Sequence, residues 1–410
     1  MAGAPAERET VVSRFKRLVA VLGTAALASA ALAACDSSSG SSGETGSGGL
    51  PKTINVAFVG ELTGPVGFAG QAQEQALKWA IDKANASGEL KGSKIVLDVK
   101  DTGSDPKRAA SLMSSAAESD AVAVFGPLSS SGAMAAAPFA QRAKLPYIAT
   151  SSVLPALLDV GDYIYRTQPS EIYVVNLIGG EAAKRGIKSV SMVYLSDNPT
   201  IVEEATEYLP EKFEKVGIDV LDSVDVPTAT TDFGAVTSKL MRGNPDAIGV
   251  MTIGPATATI ITGLRTAGYE GQIFVHASAT ADILKGAGDA ANGAFTAVGF
   301  DQSAPNPAVQ QFVQEYKADN PDVTTVNGWH AAGADAASFL VEAVVAGNGA
   351  SREDIHSGMQ KVAEAGFDGV YGPIQFIDGR DATAPGMVVE YDGGAMKVIA
   401  QGDPNKPIQP

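Results

Sequence analysis

The sequence predicts an α/β protein of two similar lobes, each a Rossmann-like layer of parallel strands flanked by helices. Three observations predict it. From Pro51 onward, short apolar runs alternate with helix-like stretches, the pattern of consecutive strand–helix units. A strand–helix–strand unit recurs about 128 residues after its first appearance. The stretch able to fold, roughly 360 residues, is long for a single core and has no cysteine beyond position 35, so packing must hold it without an internal disulfide.

The elements follow in order. Ile54 to Val59 reads as a strand, and Gly70 to Asn85 as a helix with Ala76, Leu77, Ala80 and Ile81 at helical spacing. Ile95 to Val99 is the next strand. Asp105-Pro106 then opens a helix, with Asp as cap and Pro at the first helical position. Strands continue at Val122 to Phe125, Tyr147 to Ala149, Val190 to Leu195, Ile218 to Val224, Ala247 to Ile253 and Ile273 to Val275.

The repeated unit is the most informative stretch. Asp120 to Pro127 and Asp246 to Pro255 are both apolar strands ending in Gly-Pro. Each leads to a hydroxyl-rich helix start, Ser129-Ser130-Ser131 and then Thr257 and Thr259. Each helix leads to a strand ending in small polar residues, Thr150-Ser151-Ser152 and then Ser278 and Thr280. In open parallel sheets, ligands sit beyond the carboxyl ends of the strands. Two such lobes face to face would line one cleft with both hydroxyl sets, and helix N-termini there would offer N–H groups and a positive dipole end to a carboxylate.

Charge and motif content exclude other classes. The chain carries −16 at neutral pH, and residues 1–34 contribute +2, so the remainder repels phosphate and is a poor nucleic-acid binder. There is no Gly-x-Ser-x-Gly and no His-Glu-x-x-His. The histidines are His276, His330 and His356. His356 sits in a polar helical stretch and is expected to face solvent, His330 is expected to pack, and His276 lies beside Ser278 at a strand end as a ligand hydrogen-bonding candidate. Scattered histidines and one cysteine give no metal site, and no cofactor is expected. Gly286-Ala287-Gly288-Asp289 lacks the strand and helix that a dinucleotide fingerprint requires and reads as a surface turn.

The N-terminus reads as a targeting segment. Arg14, Lys16 and Arg17 precede an uncharged apolar run, Leu18 to Ala34, of 17 residues, which is short for a spanning helix. Leu32-Ala33-Ala34-Cys35 resembles the lipobox of bacterial lipoproteins, with Cys35 the residue that would be lipidated. Asp36 to Gly49 is nearly all Ser and Gly and behaves as a tether.

From Lys52 onward the chain resembles the periplasmic solute-binding proteins of the leucine/isoleucine/valine-binding type, with the type I binding-protein fold. The carriers are Val56 to Pro65, Asp101 with Asp105-Pro106-Lys107, Phe125 to Ser130, Tyr165-Arg166-Thr167, Gly288 to Gly293 and Val370 to Ile374. The resemblance implies three crossings between lobes, near Gln168, Val298 and Thr383. Lobe 1 would be 52–168 plus 299–383, and lobe 2 would be 169–298 plus 384–401, with 1–34 a signal peptide, 35–51 the lipidated tether and 402–410 a tail. It implies a monomeric extracytoplasmic receptor, membrane-anchored through lipid, that delivers a small solute to the permease and ATPase subunits of an ABC importer. A sensor for another membrane partner is the alternative, and an exported hydrolase a lesser one.

The resemblance also implies a binding set. Ser130 and the backbone around Ser151 and Val153, with Ser129 and Ser152, would hold a carboxylate, and Phe68 or Ala69 falls where an aromatic of the first lobe covers the ligand. Asn198, Ile253, His276 and Ser278 would form the lobe 2 wall. Where amino-acid binders place a Thr hydroxyl and an acid for the ammonium, this chain has Val153 and Ser278, and the usual tyrosines fall on Pro199 and Ile253. An ammonium buried without an acceptor is costly. The expected solute therefore has an acid or amide head and an apolar body and is not a standard α-amino acid, unless Asp197 supplies the charge. Ser104 and Ser129 stand where some members carry a disulfide.

Overall fold

A computed structural model describes residues 49–401, apart from 170, 371 and 384–385 and the side chains of 171–173. Cys35, the segment 1–34, most of the tether and the tail 402–410 lie outside the described residues. Among the described residues no helix is long and apolar enough to cross a membrane, and no group of three or more His, Cys, Asp or Glu side chains could hold a metal ion.

Two sheets organise the chain. The first is built from β1 (Thr53–Gly60), β2 (Lys94–Asp101), β3 (Ala123–Phe125), β4 (Tyr147–Ala149), β5 (Ile164–Arg166), β11 (Phe367–Gly369), β12 (Gly372–Ile377) and β13 (Asp381–Thr383), in the order β11-β12-β13-β5-β4-β3-β1-β2. The second holds β6 (Ser189–Leu195), β7 (Asp219–Val226), β8 (Ala247–Met251), β9 (Gln272–Val275), β10 (Phe295–Val298), β14 (Met387–Asp392) and β15 (Ala395–Gln401), in the order β15-β14-β10-β9-β8-β6-β7. The chain changes sheet after β5, after β10 and after β13. The sheets are mostly parallel rather than wholly so: β11–β12–β13 and β10–β14–β15 pair antiparallel. β11–β12, β12–β13 and β14–β15 are joined by short connections and so need no crossover helix, whereas β14 pairs with β10 on the chain's return from the first sheet.

Alternation in β1 shows how one strand serves two cores. Ile54, Val56 and Phe58 face a core shared with α1 (Gly67–Ser87), α9 (Pro307–Asp319), α10 (Gly328–Gly347) and α11 (Arg352–Ala365). Ala57 and Val59 face the opposite core under α2 (Pro106–Glu118) and α3 (Ser130–Arg142). The second sheet is covered by α4 (Glu171–Lys184), α5 (Pro199 to Lys215, with a π-helical turn at Glu204–Tyr208), α6 (Gly234–Leu240), α7 (Pro255–Thr266) and α8 (Ala281–Leu284). The Asp105 cap accepts a hydrogen bond from the Lys107 N–H at 2.8 Å, and Pro106 opens α2.

The helices of the first core touch at glycines. A Cβ on Gly358 of α11 would fall deep inside van der Waals contact with the Ala343 carbonyl of α10, and one on Gly333 of α10 would meet the Gln73 carbonyl of α1 at 2.5 Å. Gly358→Leu is expected to cost about 3 kcal/mol, the upper part of the overpacking range, because the obstacle is backbone that no rotamer change can move. Urea unfolding would show a lower midpoint with an unchanged m-value.

His356 departs from the sequence expectation. It is 8% exposed, stacks on Tyr163 at 3.9 Å between ring centroids, and has Nδ1 3.3 Å from the Tyr165 hydroxyl. Its local sequence is polar, but the covering rings come from far along the chain. Gly286 to Ala291 lies in a short 3-10 helix kinked at Gly288.

Candidate functional site

The C-terminal edges of the two sheets face each other. α3 leaves the end of β3 and α5 leaves the end of β6, and these helices approach within 8 Å, Cα to Cα. The candidate residues lie in the loops at these edges.

In the first sheet the loop after β3 is organised by Glu61, which follows β1 and is 1% exposed. Its carboxylate accepts the Leu128 N–H at 2.8 Å, the Ser129 N–H at 3.1 Å and the Ser129 hydroxyl at 2.6 Å. Gly126 reaches this loop at φ +75°, where a Cβ would also meet the Val59 carbonyl at 2.5 Å, so glycine is required. Ser129 caps α3 by accepting the Gly132 N–H at 3.2 Å. Its hydroxyl is thus engaged at both ends. The first-turn N–H groups of Ser130 and Ser131 have no intrahelical acceptor, and the Ser130 hydroxyl accepts from Ser152 at 3.3 Å.

The loop after β4 is set by Gln73, a buried side chain of α1. It donates to the Ser151 hydroxyl and accepts from the Thr150 hydroxyl at 2.9 Å. Val153 follows, half-buried. The loop leading into α1 is tied down by Asp101, which accepts from Leu62 N–H, Thr63 N–H, Thr63 hydroxyl and Gly103 N–H. Burial raises the Asp101 pKa, but these donors outweigh it and hold the carboxyl at about 2. Phe68 beyond that loop is 53% exposed and meets Trp329 edge to face at 5.2 Å.

The second sheet presents a different wall. Asn198 caps α5 by accepting the Ile201 N–H at 3.3 Å. Asp197 accepts the Thr228 N–H and hydroxyl, the latter at 2.6 Å, and these hydrogen bonds lower its pKa. Ile253 is half-buried against the core of its own sheet. His276 Nδ1 lies 2.7 Å from the Ser278 hydroxyl, and its Nε2 lies 3.5 Å from Oε2 of the fully buried Glu204. Burial pushes the His276 pKa down to about 4.

The expected symmetry of the two hydroxyl sets is corrected here. Gly126 directly follows β3, whereas Gly254 stands three residues beyond β8, so the two Gly-Pro pairs occupy different structural positions. Pro127 lies ahead of α3, while Pro255 opens α7. Thr257 turns its hydroxyl to the carbonyl and hydroxyl of Thr252 in the loop before α7, and Thr259 bonds back to the Pro255 carbonyl of α7, so both are engaged locally. Both α5 and α7 begin with proline, which removes one first-turn donor each. Donors for an anion are therefore concentrated on the first wall, at α3.

Sequence reasoning did not single out Glu61, Gln73, Trp329 or Glu204. Glu61 stands inside the Gly60-Glu61-Leu62 stretch that carried the resemblance, and that was its available signal. Glu204 is one of several acids in its helix, and nothing local marks which is buried.

Comparison with known proteins adds the context. A family model described as periplasmic binding protein matches residues 53–395. The leucine-, isoleucine-, valine-, threonine- and alanine-binding protein of Pseudomonas aeruginosa is 24% identical over 277 residues, 66% of this chain and 72% of that protein. The crystal structure of a leucine binding protein from Thermotoga maritima superposes with a TM-score of 0.78 at 24% identity, covering 86% of this chain and 99% of that one. An ABC-transporter solute binding protein from Rhodopseudomonas palustris, in complex with 3,4-dihydroxybenzoic acid, gives 0.76 at 24% identity, covering 87% and 99%. These relatives are solute-binding proteins rather than enzymes.

Proposed function

Because the chain belongs to the periplasmic binding protein family, we propose that it is the extracytoplasmic solute-binding subunit of an ABC importer. It captures a small carboxylate- or amide-bearing solute, branched-chain amino acid-like or a related organic acid, between the facing edges of its two sheets. Lobe 1 is 52–168 plus 299–383, lobe 2 is 169–298 plus 384–401, and Cys35 carries the lipid that leashes the monomer to the membrane beside its permease and ATPase. The relatives support the solute class: one is named for leucine, isoleucine, valine, threonine and alanine, and another holds 3,4-dihydroxybenzoic acid.

The observation that carries the reading is the asymmetry of the walls. Glu61 occupies the N–H groups of Leu128 and Ser129, so a solute carboxylate is left the hydroxyl of Ser130 and the N–H groups of Ser130 and Ser131. Ser151 and the Val153 backbone complete the acid end, Phe68 with Trp329 covers the apolar body, and Ile253 faces it from lobe 2. A thermal-shift screen of amino acids, aromatic acids, aliphatic acids and amides tests this, since a bound solute raises apparent stability by mass action. Ser130→Ala is expected to weaken the best hit roughly 10- to 100-fold, the value of one hydrogen bond to a charged group. A screen without any acid or amide hit, or a hit indifferent to Ser130→Ala, would sink the reading.

A further inference from the structure

The loop after β9 carries His276 and Ser278, whose hydrogens can be placed, with the Glu204 carboxylate 3.5 Å from the ring. The turn after β9 is fixed by two backbone bonds, His276 N–H to the Val250 carbonyl at 3.2 Å and Ala279 N–H to the His276 carbonyl at 2.9 Å. Within it, the Ser278 N–H donates to His276 Nδ1 at 3.2 Å. A ring nitrogen that accepts from a backbone N–H carries no hydrogen of its own in that direction. The ring is 12% exposed and neutral near pH 7, so its single hydrogen sits on Nε2, the nitrogen that faces Glu204 at 3.5 Å. Nδ1, holding a lone pair, then also accepts the Ser278 hydroxyl hydrogen across 2.7 Å. The Ser278 oxygen is left with lone pairs only.

Glu204 reaches the ring from a π-helical turn, Glu204–Tyr208, inside α5. Such a turn inserts one residue into the helical repeat, shifts the side chains around it, and recurs at functional sites. Here the residue that starts it is fully buried against the imidazole.

Building on the solute-binding reading above, we infer that Ser278 is locked as a one-way hydrogen-bond acceptor and that lobe 2 selects solutes with a second polar group that donates. His276 and Glu204 are positioning residues: the Ser278 N–H fixes the ring tautomer, the carboxylate 3.5 Å from Nε2 favours it by charge, and the ring fixes the hydroxyl. The sequence suggested that the acceptor for a second polar group had been lost at Ser278. The chain through His276 supplies one. The solute this site fits has an acid or carbonyl at α3 and an N–H or O–H donor across the cleft, and a purely aliphatic monoacid leaves the Ser278 oxygen unpaired, which is costly when buried.

The test uses the exported, anchor-free mature chain and probes that differ at one position. 4-Methylpentanoate, 2-hydroxy-4-methylpentanoate and leucine share an acid and an apolar body and differ in carrying no donor, a hydroxyl or an ammonium. Benzoate and 4-hydroxybenzoate make the aromatic pair. Calorimetry is expected to show a donor-bearing member at least tenfold tighter than its donor-free mate, with Ser278→Ala erasing that preference while the donor-free acid keeps its affinity. Which donor wins identifies the group. Equal or tighter binding of the donor-free mates, or a preference that survives Ser278→Ala, overturns the inference. Nitrogen-15 spectroscopy of the His276 ring decides independently of any solute. The hydrogen is expected on Nε2 and retained in Glu204→Gln, because the Ser278 N–H still occupies Nδ1. A ring protonated at Nδ1 overturns the inference even where the acids bind. Failure of every acid to bind sinks the solute reading instead, and the ring spectrum alone then judges the lock.

Discussion

Glu61→Ala is expected to lower stability by about 3–4 kcal/mol and to abolish solute binding together. The first effect is a matter of orphaned donors. The Glu61 carboxylate accepts the Leu128 and Ser129 N–H groups and the Ser129 hydroxyl at the approach to α3. Its removal leaves the buried Leu128 N–H and the part-buried Ser129 N–H without an acceptor, at about 1–3 kcal/mol each. Glu61→Gln keeps the shape but turns an NH2 toward those same donors, so about 2 kcal/mol is expected there. The second effect is positional. The Pro127–Ser129 loop aims Ser130, and misplacement of that loop removes the geometry of the acid end. Urea unfolding checks the first, and calorimetry under conditions where the variant is still folded checks the second. A stable Glu61→Ala protein that binds as before would show that the loop is held by something other than this carboxylate.

The strands and helices that serve one core were legible because their signals are local. Ile54, Val56 and Phe58 alternate with Ala57 and Val59, and the strand they predict is the one that separates two cores. Asp105-Pro106 carries its own cap and start. The late strands β11 to β15 carry weaker signals. They lie toward one end of each sheet, and in β12 and β15 buried or half-buried residues alternate with exposed ones, so no continuous apolar run marks them. Within the site, the Ser-rich loops stood out by composition, yet composition does not say where a hydroxyl points. Ser129 and Asn198 cap helices, and Thr257 and Thr259 are engaged locally. The groups that aim the others, Glu61, Gln73 and Glu204, act through partners distant in sequence, such as Leu128, Ser151 and His276. A single sequence carries no mark of those pairings.

The histidines give the protein an acid limit well above that of its carboxylates. His330 and His356 are buried and the His276 side chain is 12% exposed, and burial lowers the pKa of each: to about 4 for His276 and His330, and below the ordinary value for His356, where Asp162 partly opposes the shift. In the unfolded chain they titrate near 6.5. Between those values the unfolded state binds protons that the folded state refuses, so stability falls as pH falls from about 6.5 toward 4 and levels off below it for these groups. A depression of this size corresponds to about 3 kcal/mol for each of His276 and His330, with a smaller share for His356. His330 is the ring whose charge would be felt at a helix start: its Nδ1 sits against Asn327, 3.2 Å from the backbone N and 2.8 Å from the side-chain oxygen, in the cap of α10, the helix packed on α1 and α11. Asp101 behaves oppositely in position, with its loss confined to the interval from 3.8 down to about 2. The melting temperature of the apo protein is therefore expected to drop steeply between pH 6.5 and 4.5, before most carboxylates titrate. Replacing His356 by Gln should flatten part of that slope, and His330→Gln more of it, at the expense of some stability at pH 7. A melting temperature constant down to pH 4.5 would mean that these rings take up protons while folded, and that water reaches them.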